Sequence, residues 1–512
     1  MVSGYVMGID IGTSGCKTIL VDERGKVIAS ELEEYPLFSL RHGWSEQKPE
    51  DWWGAVVKTI RGITSKYRSE IRALKGIGLT GQMHGLVALD KDYNVIRPAI
   101  LWNDQRTESQ CNEIYERVGG ETELLKYTNN RMLPGYTGGK VLWLRENEPE
   151  NYEKIKKVVN PKDYIRYKLT GVIATEVSDA SGTGFFDVRN RRWSRELLDI
   201  LDIPPDFFPE SYESTEVSGG VLDSIADMLG LPRGLKVVGG GGDAVIQGVG
   251  TGVVSGDICM TVLGTSGIVS TTLENYKDNP DGLLQVFCNV VPGTWHAMGV
   301  TLSAAGSLKW AKEVFAHSEG EVEKLTGESV YSIIDREAAG APIGAGGVFF
   351  LPYLSGERCP YTDPTARGAF VGLTLGTSKR ELFRSVMEGV IFSLRDVNEI
   401  FGRLGMTFDH VATSGGGAQS NVWRQIHADV FKMRVETVSG SREGAAYGAA
   451  VVAGVGTGLW SNFKEAASLL TVESVNKPNR ENFEAYDRLY SIYHGLYSQL
   501  RDSFKRIDEL EN

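Results

Sequence analysis

A chain of 512 residues, 41% hydrophobic and 23% charged, exceeds what one hydrophobic core fills and predicts two globular domains. A net charge of −12 excludes a general nucleic-acid or anionic-membrane binder, since both need a basic surface. Five scattered cysteines without zinc spacing, an N-terminus without a secretory pattern and no apolar run of about 18 residues point to a reduced, cytoplasmic protein without a membrane span.

In chain order, residues 5–22 predict a β-hairpin whose tip is Gly12-Thr13-Ser14-Gly15, and a third strand begins at Val27. A helix is expected over 51–63 behind the acidic start Pro49-Glu50-Asp51. A short apolar strand over 76–80 then runs into Gly81-Gln82-Met83-His84-Gly85, with another strand over 86–90. Further on, the strand Lys236–Val238 enters Gly239-Gly240-Gly241-Gly242-Asp243, and a small-residue helix follows from Ala244. About half the chain after the first hairpin comes a second, with the same tip, Gly264-Thr265-Ser266-Gly267. The strand 411–414 leads into Gly415-Gly416-Gly417-Ala418-Gln419-Ser420 and a helix over 421–430. A small-residue helix over 443–455 and a charged helix from about 480 close the chain. Strands alternating with helices define an α/β architecture. The expected division is 1–250, 251–455 and a helical cap over 456–512.

Hairpin tips of glycine and hydroxyl residues offer N–H and O–H donors to an anion. Two of them suggest a phosphate chain gripped between related domains, with Gly12, Thr13, Ser14 and Lys17 from the first and Gly264, Thr265 and Ser266 from the second. Asp10, at the end of its strand, suits Mg²⁺ beside those phosphates; a turn aspartate bonding its own backbone is equally compatible. Asp243 closes the glycine run, where it suits a general base, a helix cap, or both. Gly415, Gly416, Gly417 and Gln419 suit the face of a nucleotide, or a structural turn. Met83 and His84 lie at a predicted sheet edge, where α/β proteins bind ligands. Trp102, Asn103 and Asp104 offer stacking and hydroxyl recognition, or ordinary surface duty. The chain has no Walker A, G-x-S-x-G or H-E-x-x-H pattern. A dinucleotide fingerprint over 239–244 matches only loosely, because Asp257 precedes a strand instead of ending one.

Two longer motifs carry more. Gly135–Asn147, and Gly368–Leu373 followed by Glu381-Leu382 and Ser385–Glu388, resemble the two signatures of the FGGY family of carbohydrate kinases, and the likeness extends over nearly the whole chain. The resemblance implies two actin-like (ribonuclease-H-like) domains that bind ATP and a sugar. It implies Asp243 as catalytic base, Asp10 as support for Mg²⁺, Gly264–Gly267 at the β- and γ-phosphates, and Gly415–Gln419 at the adenosine. Gln82–Gly85 is similar to the sugar motif of members that phosphorylate D-xylulose, which implies Met83 and His84 as sugar contacts. Ribulose or another ketose or polyol is the nearest alternative acceptor. An actin-like ATPase without sugar kinase activity and a non-catalytic sugar sensor are more distant ones. The expected partners are the sugar and ATP, without nucleic acid or membrane, in a monomer or homodimer.

Overall fold

The computed structural model describes residues 4–511 and divides into two compact units. The first contains a seven-stranded sheet. Its centre is the hairpin of β1 (Tyr5–Ile11) and β2 (Gly15–Asp22), continued by β3 (Val27–Glu34) on one side. Helix α1 (Pro49–Lys66) packs on β2 and β3, and its Trp52, Val56, Ile60 and Ile63, buried at helical spacing, join one core cluster with Met7, Ile9 and Ile11. On the other side of β1 lies β4 (Leu74–Gly81), parallel to it. Helix α2 (Pro161–Thr170) follows, then β5 (Lys236–Val238) and the two-residue β6 (Gly241–Gly242), both parallel to β4. Asp243 opens α3 (Asp243–Gly250).

The second unit repeats this plan. The strands β7 (Ile258–Leu263) and β8 (Gly267–Leu273) form the hairpin. Helices α4 (Ala305–Phe315) and α5 (Lys379–Arg403) precede β9 (His410–Ser414), which lies parallel to β7 as β4 does to β1. Helix α6 (Asn421–Phe431) leads to the parallel β10 (Arg434–Val438).

The compact units divide the chain differently from the expected boundaries at 250 and 455. Residues 272–297 and 443–470 belong to the first unit, and 471–512 to the second. Helix α7 (Ala445–Thr457), buried on all sides along most of its length, packs on β1 and β4. The chain then returns to the second unit, where β11 (Val472–Asn476) pairs with β10 and α8 (Phe483–Glu511) ends the fold. The helical cap expected over 456–512 is therefore split between the units. Among the described residues no helix is long and apolar enough to cross a membrane.

Glycines admit α7 to the sheet. Gly8 and Gly78 are partners in the β1–β4 register. A Cβ on Gly8 would lie 2.0 Å from the Ala446 carbonyl oxygen, and one on Gly78 would lie 1.9 Å from that of Ala449. Both obstacles are backbone, so neither can swing aside. Gly78→Ala is expected to cost about 3 kcal/mol, the upper end of overpacking penalties. A lowered denaturation midpoint checks this, and an unchanged midpoint contradicts it.

Candidate active site

Because side chains alternate along a strand, Gly8 and Asp10 share the face that meets α7. Asp10 is level with Thr80 on β4, which in turn is level with Gly241 on β6. One buried oxygen of Asp10, Oδ1, has no hydrogen-bond partner. Burial and then the charge of Asp243 push the Asp10 carboxyl up to about 7, against a smaller pull from Lys17. Lys17 faces Asp10 across the hairpin and forms a 2.7 Å ion pair with Glu443, just before α7. Its role is thus local charge balance as well as any phosphate contact.

Asp243 immediately follows β6, at the carboxyl end of the parallel strands. Its carboxylate accepts from the N–H of Ala244 at 2.7 Å and from that of Met83. Burial raises it to about 6 while those N–H groups hold it down, so near neutrality it is an ionised acceptor. The glycine run that presents it is fastened at both ends. Gly240 has φ +75°, and its Cβ would stand 2.0 Å from the Leu79 carbonyl oxygen. Arg166 of α2 donates to the carbonyls of Val238 (3.0 Å) and Gly239 (2.5 Å). Ser178 Oγ accepts from Gly242 N–H at 3.0 Å and donates to Glu176 at 2.8 Å. Pairing of Gly241 and Gly242 with β4 commits this backbone to the sheet, which removes the loose dinucleotide reading.

Behind the run lies a wholly buried cluster of Lys162, Asp163, Arg166, Glu176 and Asp179. Lys162 Nζ is 2.6 Å from Asp163, 3.2 Å from Asp179 and 3.6 Å from Glu176. Burial alone would depress the lysine, but these three carboxylates more than offset it and hold the ammonium above its ordinary value. Removing one member leaves an unpaired buried charge, so Arg166→Met is expected to lose about 3–5 kcal/mol of stability. A denaturation curve checks this; a loss below about 1 kcal/mol contradicts it.

Met83 is buried, and its side chain packs against Gly242. His84 has φ +67°, a strained value for a side chain of this size. Buried Lys140 holds it there by donating to the carbonyls of His84 and Gly135, both at 2.7 Å, and Thr137 adds a 3.1 Å bond to the His84 carbonyl. Burial pushes the Lys140 ammonium down to about 7. The imidazole stacks on Tyr136 with centroids 4.4 Å apart, and Nδ1 donates to the Gly182 carbonyl at 2.5 Å. That bond makes the neutral ring the Nδ1–H tautomer, with acceptor character at Nε2 suited to a sugar hydroxyl.

Of the next three candidates, Trp102 is 43% exposed, and Asn103 carries a buried Oδ1 without a hydrogen-bond partner. Asp104 is a correction: it is fully buried, and its oxygens accept from Ser45 N–H, Arg106 N–H and the Arg106 guanidinium. It has no surface to offer a sugar.

At the first tip Gly12 N–H bonds the Gly15 carbonyl at 3.1 Å, Ser14 is exposed, and the Thr13 hydroxyl sits between Trp102 and Gln82. The second tip rests on the start of α4. The Thr265 carbonyl accepts from Ala304 at 2.8 Å, and that of Gly264 from Ala305 at 2.7 Å. Thr265 is exposed and Ser266 half-buried. A separate cavity of about 590 Å³ in the second unit is lined by Gly415, Gly416 and Gln419, with Arg424, Arg442 and Glu473. Its size lies in the ordinary range for small-molecule sites. Gly417 is a second correction, for it turns inward and packs on Trp423.

Several functional side chains escape a reading by motif. Tyr136 and Lys140 stand inside the Gly135–Asn147 motif, but the His84 that both of them meet is distant in sequence. Glu443, Arg166 and Ser178 have no local signal at all.

A duplicated hairpin with a parallel third strand, a carboxylate at the end of the first hairpin strand and a second carboxylate at the sheet edge place the chain in the actin-like ATPase fold class. The models for the N- and C-terminal domains of the FGGY family of carbohydrate kinases match residues 5–250 and 259–457. The chain belongs to this family and is a carbohydrate kinase. It is 38% identical to xylulose kinase of Escherichia coli (strain K12), over 96% of this chain and 99% of that enzyme. It is 30% identical to gluconokinase of Bacillus subtilis (strain 168), over 100% and 99%. Ligand-bound xylulose kinase from Lactobacillus acidophilus matches with a TM-score of 0.91 at 28% identity, over 98% of this chain and 100% of that one.

Proposed function

We propose that the chain transfers the γ-phosphoryl group of ATP to the terminal hydroxyl of D-xylulose, giving D-xylulose 5-phosphate and ADP. The observation that carries this is Asp243: an acceptor carboxylate at the sheet edge, held by the Met83 N–H beside the His84–Tyr136 stack. Similarity to xylulose kinases over nearly the whole chain supports the choice of sugar. All five cysteines are buried and none forms a disulfide, which suits a reducing cytoplasm.

Asp243 takes the proton of the sugar hydroxyl as that oxygen bonds to the γ-phosphorus. The bond from phosphorus to the bridging oxygen breaks, and ADP leaves with that electron pair. His84 Nε2 and Asn103 orient the sugar, while Tyr136 packs behind the imidazole. The tip N–H groups and Ser14 meet phosphate oxygens; in the second unit, the cavity lined by Gly415, Gly416 and Gln419 has a size suited to adenosine. Positioning and electrostatics supply most of the acceleration, as expected for a loose transition state.

Asp10 would hold Mg²⁺. Its buried Oδ1 without a partner suits a hard cation, and among the described residues no group of three or more His, Cys, Asp or Glu forms a protein cage. The ion would thus share phosphate and water oxygens, as Mg²⁺ does in such sites. When bound it supplies neutralising charge to the phosphates.

Asp243→Asn is expected to lower kcat at least roughly 10²-fold, the scale of lost general-base catalysis, while ATP still binds. Near-normal turnover would falsify the assignment. Because the base must be ionised, wild-type kcat/KM for the sugar should fall as pH drops through about 6 and level off above it. A profile flat down to pH 4.5 contradicts this. His84→Ala should raise KM for the sugar; unchanged KM and kcat remove it from the site. A panel of D-xylulose, ribulose, gluconate and glycerol tests the substrate, and preference for another member overturns D-xylulose.

A further inference from the structure

The first phosphate tip is bonded to the sugar end of the same unit by a chain whose polarity is forced. Trp102 Nε1 lies 2.9 Å from Thr13 Oγ1, and an indole N–H can only donate, so Thr13 accepts there. At the far end Trp52 Nε1 lies 3.0 Å from Gln47 Oε1, which fixes that amide. Gln47 Nε2 therefore faces the Thr13 carbonyl at 2.7 Å, and Gln82 Nε2 donates to Gln47 Oε1 at 2.9 Å. This leaves Gln82 Oε1 toward Thr13, so the hydroxyl proton of Thr13 points to Gln82 at 3.3 Å. Gln47 and Gln82 are fully buried. With its proton committed, Thr13 has no hydroxyl donor to spare for phosphate, contrary to the simple reading of the tip motif.

Both partners of the Thr13 hydroxyl reach the sugar site. Gln82 immediately precedes Met83 and His84. The Trp102 carbonyl presses on Gly135, where a Cβ would come within 2.2 Å, and Gly135 precedes the Tyr136 that stacks on His84. Although its N–H is engaged, the indole remains 43% exposed, so its ring is available to a sugar.

We infer that Trp102, Thr13 and Gln82 form a positioning relay by which an occupied sugar pocket orders the phosphate-binding tip, so that sugar tightens the grip on nucleotide. This rests on the sugar kinase reading above. A sugar stacked on Trp102 and bonded to His84 restrains both anchors of Thr13, and with them the turn Gly12–Gly15. The same linkage makes phosphate capture weaker when the pocket is empty, which limits wasted hydrolysis of ATP.

Calorimetric binding of the β,γ-imido analogue of ATP, with and without saturating D-xylulose, tests the relay on the full chain. Wild-type protein should bind the analogue more tightly when sugar is present. Trp102→Phe, which keeps an aromatic ring but loses the N–H, should reduce that tightening by about 2–10-fold, the worth of one net hydrogen bond. Thr13→Val should do the same without touching the sugar, and Thr13→Ser should restore the coupling. Wild-type tightening preserved in both Trp102→Phe and Thr13→Val overturns the relay, as does its absence in the wild type. Lack of D-xylulose turnover by wild type instead overturns the substrate assignment; the coupling is then measured with the sugar that supports turnover.

Discussion

The contact between helix α7 and the bare backbone of β1 and β4 governs the geometry of the first unit. Gly8 and Gly78 lie side by side and let the carbonyls of Ala446 and Ala449 come to distances that any side chain would block. The chain therefore leaves this unit, builds most of the second, and returns to seat one small-residue helix. That return brings Glu443 to Lys17, which sits opposite Asp10. The same face of β1 that accepts the helix carries the carboxylate, so packing and charge placement are set by one strand pair.

Two kinds of buried charge serve different ends here. The cluster around Lys162 is closed to solvent: the ammonium pairs with Asp163 and Asp179, while both Asp179 oxygens, Asp163 Oδ2 and Arg166 Nε lack a hydrogen-bond partner. It braces the glycine run through Arg166 and through Glu176 with Ser178. Asp10 and Asp243 remain partly accessible, with carboxyls raised to about 7 and about 6. In the absence of ligand these raised values make the first unit less stable as pH climbs from about 4 toward 7, since the native state holds protons that the unfolded chain releases. That cost is characteristic of carboxylates kept for chemistry.

Much of this was legible in the residues themselves. The repeated Gly-Thr-Ser-Gly tips, the glycine run before Asp243 and the helix periodicities depend on local chemistry, and the structure places each as a tip, a sheet-edge segment or a helix. What was not legible depends on contacts between distant segments. Asp104 looks like a polar loop residue until Arg106 and Ser45 are seen to occupy its oxygens. Gly417 reads like its neighbours, yet Trp423 draws it inward. Lys140 resembles any helical lysine, although it fastens the strained backbone of His84. The units also interleave along the chain, and no composition shift marks residue 443 or 471. Hydrogen-bond polarity at Thr13 needed two indoles from separate elements.

The claim on which the chemistry turns is that Asp243 meets the hydroxyl to be phosphorylated. The most direct measurement is an experimental structure of the enzyme with its sugar bound. The expected result is a terminal hydroxyl within about 2.6–3.2 Å of the Asp243 carboxylate, with the sugar against His84. A sugar seated with that hydroxyl well away from Asp243, or on another face of the unit, would contradict the account.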